Sequence, residues 1–65
     1  MEAYAEITKK DLERMEKGDM CFSFPRGIEM KRRKGSRALF LSCSEEVDDT
    51  LIDFLDQNNL CWQEL

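Results

Sequence analysis

The 65-residue chain contains no histidine, one proline (Pro25), three glycines and three cysteines, and it carries no lysine or arginine after Arg37. Each shortage closes a route. Without histidine the commonest general base and metal ligand is missing. Cys21, Cys43 and Cys61 are odd in number, widely spaced and never in a C-x-x-C pair. That pattern argues against a disulfide framework and against a closed zinc site. Gly18, Gly27 and Gly35 stand alone, so no G-x-G-x-x-G, Walker loop or G-x-S-x-G elbow is present. A cysteine nucleophile needs a base or an electropositive setting; Cys21 lies near Arg26 along the chain, but nothing else supports that role. The plainer account of all three thiols is that of small buried hydrophobes. The expectation is a protein that is not an enzyme, with no catalytic residues, no metal and no cofactor.

Long apolar runs are also lacking. The longest is Ala38-Leu39-Phe40-Leu41, against about 20 residues for a membrane span. The opening Met1-Glu2-Ala3-Tyr4 is charged and mixed rather than leader-like. Together with free thiols, this points to a reducing, cytoplasmic setting and no membrane. Residues 1–65 make a single domain. At 42% hydrophobic residues the composition is globular, yet a chain this short buries only about 60% of its unfolded surface. Domains below roughly 70–80 residues usually add a disulfide, a metal or a partner. With the first two set aside, a protein partner or a second copy in a homodimer is expected to supplement the core.

What is present reads as α+β. Met1 to Ile7 suggests a strand, with Ala3, Ala5 and Ile7 on one side and Tyr4 and Glu6 on the other. Thr8 suits a helix N-cap, Ile7 and Leu12 take the staple positions, and Gly18 suits a stop after Lys17. This predicts a short helix over 9–17. Met20, Phe22 and Phe24 alternate with Cys21 and Ser23, which predicts a strand. Pro25-Arg26-Gly27 interrupts it as a turn or bulge, and Ile28 and Met30 resume it. Lys34-Gly35-Ser36 marks a hairpin connection to an apolar strand over 37–43. That strand has Leu39, Leu41 and Cys43 on one face and Ala38 and Phe40 on the other. Two apolar faces predict a central strand covered on both sides, or an interface.

Ser44 is the expected N-cap of a second helix over 45–57, in which Val47, Leu51, Phe54 and Leu55 share an arc of about 100°. Asn58-Asn59 ends it, and Leu60 to Leu65 closes as a strand with Leu60 and Trp62 inward. The fold expected is a small antiparallel sheet of three to five strands with two helices on one face. The order resembles a minimal ferredoxin-like βαββαβ plan. The competing arrangement is a meander over 20–43 with both termini peripheral.

Charge is segregated along the chain. Residues 1–37 hold all ten bases against seven acids, a net +3, and residues 38–65 hold seven acids and no base, a net −7. Those halves make up the overall −4. Such asymmetry speaks of association rather than fold. Glu45, Glu46, Asp49, Asp53 and Asp56 share an arc of about 100° roughly opposite the apolar stripe. Like-charged i,i+4 neighbours cost roughly 0.2–0.5 kcal/mol per pair, and no base on that helix relieves them. The plainer account is a solvated face. The functional account is a row that meets positive charge on a partner, imitating a phosphate backbone.

A basic segment offers the contrary reading. Lys31, Arg32, Arg33, Lys34 and Arg37 would surround a hairpin tip able to grip nucleic acid or an acidic protein. The plainer account is a charged turn that guards an edge strand. An isoelectric point near 4.7 works against long-range attraction to phosphate. Trp62 reads as a cap on the small core rather than an interface anchor. The leading expectation is a small protein-binding regulator or inhibitor acting through its acidic helix, of the size and charge of phage or mobile-element proteins. The alternatives are a nucleic-acid binder using the basic hairpin, or a homodimeric structural subunit.

Overall fold

A computed structural model describes residues 1–19 and 21–65. It contains β1 (Glu2–Glu6), α1 (Lys9–Glu16), β2 (Glu29–Lys31), β3 (Ala38–Ser42), a 3-10 turn (Glu45–Val47), α2 (Asp48–Gln57) and β4 (Cys61–Glu64). The four strands form one antiparallel sheet in the order β2-β3-β1-β4. With the chain order βαββαβ, this is the ferredoxin-like arrangement. The meander alternative fails, because β1 lies between β3 and β4 rather than at the periphery.

Alternation along the central strands decides which face is covered. Ala3, Ala5 and Ile7 from β1 and its end, and Leu39 and Leu41 from β3, are buried. Leu51, Phe54 and Leu55 of α2 and Phe22 complete the core. Leu12 and Met15 of α1 pack against the same cluster, so both helices cover one face. No helix among the described residues is long and apolar enough to cross a membrane.

The start of α1 and the ends of both helices follow from their sequences. The Asp11 amide donates to Thr8 Oγ1 at 3.1 Å, capping α1. At its far end Gly18 has φ 90°, the Asp19 amide donates to the Arg14 carbonyl and the Gly18 amide to Met15. These bonds form a Schellman motif. Asn59, at φ 54°, repeats it for α2, with Leu60 bonded to Leu55 and Asn59 to Asp56. The second helix begins later than expected. Ser44 precedes the 3-10 turn without a side-chain capping bond, and regular α-helix starts at Asp48.

Three further expectations are corrected. Cys21 to Pro25 form no strand, and Met20 lies outside the described residues. Phe22 and Phe24 instead converge on Phe54 of α2, with ring centroids 6.3 and 5.0 Å away. Aromatic packing on the helix, rather than a strand ladder, fixes this crossing segment. Of the two expectations for central β3, coverage on both sides fails, since Phe40 on the second face is 48% exposed, and the interface alternative stands. Cys61 is exposed rather than buried, since it sits on that uncovered face of edge strand β4, opposite Glu6.

Candidate binding surfaces

The segment carrying the acid row is helical, as a 3-10 turn running into α2. Glu45, Glu46, Asp49, Asp53 and Asp56 are all exposed. The described residues form two ion pairs, the Met1 α-amino group with Asp48 and Arg32 with Glu16. None of the five row residues takes part in either. Asp49 lies in the first turn of α2, where the helix dipole favours an acid. Asp53 and Asp56 stand toward the other end, where the dipole opposes them and no base is present in the last turn. Asp56 is partly relieved, since it accepts the Trp62 indole N–H at 3.0 Å. That bond ties Trp62 to the molecule's own helix. The remaining four acids hold no counter-ion of this chain among the described residues.

Asp48, which sequence reasoning left outside the row, has a structural task. Its carboxylate stands 3.3 Å from the Met1 α-amino group and accepts the Cys43 thiol at 3.3 Å. Burial pushes the Cys43 thiol up, and the bond to Asp48 adds to it. For the amine, burial works downward, but the Asp48 hydrogen bond and charge carry it above its usual value. The α-amino group also donates to the Cys43 carbonyl at 2.8 Å. Asp48 thus joins the start of β1 to the start of α2.

The basic residues do not form one patch of free cations. Arg32 donates to Glu16 at 3.0 Å and to the carbonyls of Arg33 and Ser36. Glu16 also accepts the Gly35 amide at 2.8 Å. That amide first, and the Arg32 guanidinium second, hold the Glu16 carboxyl below its usual 4.5. Arg37 donates from Nε to the Ile7 carbonyl at 2.9 Å, binding the entry of β3 to the exit of β1. Lys31, Arg33 and Lys34 are exposed, and so is Arg37 despite that bond. Two of the five residues expected to face a ligand therefore serve the fold.

A surface of which sequence reasoning marked only the Ala38 and Phe40 side of β3, as a candidate interface, lies on the uncovered face of the sheet. The strand registers set Lys31 beside Phe40, Phe40 beside Tyr4, and Tyr4 beside Gln63. The next row holds Glu29, Ser42 and Glu2. Tyr4 and Phe40 meet edge to face, with centroids 5.5 Å apart. The Tyr4 hydroxyl donates to Glu6 at 2.7 Å, and this bond to a carboxylate raises its pKa. Phe40 and Leu65 are the exposed large hydrophobic residues among those described, and both line a hollow of about 150 Å3 with Glu2 and Lys31. The signal available in the sequence was the second face of the two apolar strands.

Comparison with protein-family models, with curated proteins and with solved structures finds no match to this chain.

Proposed function

We propose that this chain is a non-enzymatic protein-binding module, a stoichiometric regulator or inhibitor that docks the acid row of the 3-10 turn and α2 on a basic surface of its partner. The supporting observation is that Glu45, Glu46, Asp49 and Asp53 are exposed and take part in neither of the two ion pairs. Repulsion between Asp49 and Asp53, four residues apart on one helix, is a standing cost to the free protein. A cationic partner removes that cost on binding and gains rate from long-range attraction. The nucleic-acid alternative draws on Lys31, Arg33, Lys34 and the exposed Arg37, since Arg32 is half-buried and paired with Glu16.

The test is affinity capture from the native host with the wild type and with Asp49→Lys/Asp53→Lys. A partner with a basic docking surface should be retained by the wild type, released as salt rises, and lost from the variant. Retention of the same partner by the charge-reversed variant, with its circular dichroism unchanged, would refute the reading.

A further inference from the structure

We infer that the uncovered sheet face is a second docking surface, and that its occupant is a basic, arginine-bearing segment of a protein. This inference stands apart from the proposal for α2, because the helices cover the opposite face of the sheet. Two features of the face select the occupant.

The first is apolar. Phe40 is 48% exposed and Leu65 63% exposed, and they line one hollow. Tyr4 extends the aromatic surface beside Phe40. An aliphatic side chain fits between Phe40 and Leu65, and a guanidinium fits over an aromatic ring. Cations within about 6 Å of a ring centroid are attracted to its face, arginine more often than lysine.

The second is charge. Glu2 and Glu29 flank Ser42 in the neighbouring row, and Glu6 lies beyond Tyr4. Against them stand Lys31, beside Phe40, and the Arg37 guanidinium, whose charge acts on Tyr4. Three carboxylates against two cations leave the surround of the aromatic centre net negative. A phosphate backbone would meet those carboxylates unfavourably, whereas arginine places its planar fork against carboxylate and ring together. Single-stranded nucleic acid, which also stacks on sheet aromatics, is therefore the disfavoured occupant.

The experiment uses the full chain carrying Asp49→Lys/Asp53→Lys as background, so that the α2 row does not attract the probe. A fluorescent decapeptide alternating arginine and leucine is titrated by anisotropy. The same peptide with glutamate in place of arginine, and a ten-nucleotide oligothymidine, are titrated in parallel. The arginine peptide should bind, and at least tenfold more tightly than either control. Phe40→Ala, and separately Glu2→Gln/Glu29→Gln, should each weaken it about tenfold. The second variant leaves every apolar side chain in place, so it reads charge without disturbing packing. Amide chemical shifts should move at Tyr4, Lys31, Phe40 and Gln63. Tighter binding of oligothymidine would overturn the inference in favour of nucleic acid. So would equal binding of both peptides, or binding indifferent to both variants. Failure of the α2 reading shows separately, in the capture experiment.

Discussion

Arg32 sits in a run of four cations, and along the sequence nothing distinguishes it from Arg33. Its partner Glu16 lies 16 residues earlier, at the end of α1. The carbonyl that engages Arg37 lies 30 residues earlier. Local pattern exposes charge density but not long-range pairing, so the split between structural and free cations was not legible. Glu16 makes that split measurable. Its folded pKa is lowered, so its contribution is complete above about 4.5, the ordinary value, and is lost as pH falls through the folded one. Glu16→Gln should lower the melting temperature at pH 7. The gap to wild type should narrow below pH 4.5 and close once the folded carboxyl is protonated. Thermal melts by circular dichroism between pH 7 and pH 2.5 check this, and a gap that persists at the lowest pH would mean the charge is not what matters.

At the scale of elements, stop signals and apolar stripes were the legible part. Thr8, Gly18 and Asn59 act locally, Thr8 starting α1 and the other two ending their helices, through bonds to residues within five positions. Asn59 at positive φ gives a clean test. Asn59→Ala should lose about 1 kcal/mol, the usual strain of a left-handed alanine, whereas Asn59→Gly should not destabilise; urea midpoints distinguish them. Phe22 and Phe24 were misread because alternation does not tell a strand from a segment anchored by alternate aromatics. Their shared contact, Phe54, lies some 30 residues later. The acid row was legible as a pattern, and its consequence for α2 is specific. Asp53→Lys removes a like-charge pair and places a cation toward the helix end that favours one. The free protein should gain about 0.5–1 kcal/mol by chemical denaturation. A loss instead would show that Asp53 is already compensated in the free protein, and the docking proposal for α2 would lose its energetic basis.

For the whole molecule, the two faces of one sheet make opposite predictions about two apolar residues. Leu51 is fully buried against the covered face, and Phe40 stands on the other. A 65-residue domain has roughly 3–10 kcal/mol of stability on a per-residue scale. Leu51→Ala removes about 2–5 kcal/mol through lost burial and the cavity left behind. That is enough to leave a large unfolded fraction at 37 °C. Phe40→Ala forfeits its edge contact with Tyr4 but opens no cavity, so about 1 kcal/mol or less is expected. For a domain of this size each kcal/mol moves the melting temperature by about 4–8 °C, so melts separate the two variants readily. The comparison also tests whether the open face stays open in solution. If Phe40→Ala proved as costly as Leu51→Ala, with melting temperatures rising with protein concentration, a second copy would be covering the sheet. A small, concentration-independent cost leaves Phe40, Tyr4 and Leu65 free for a partner of different sequence.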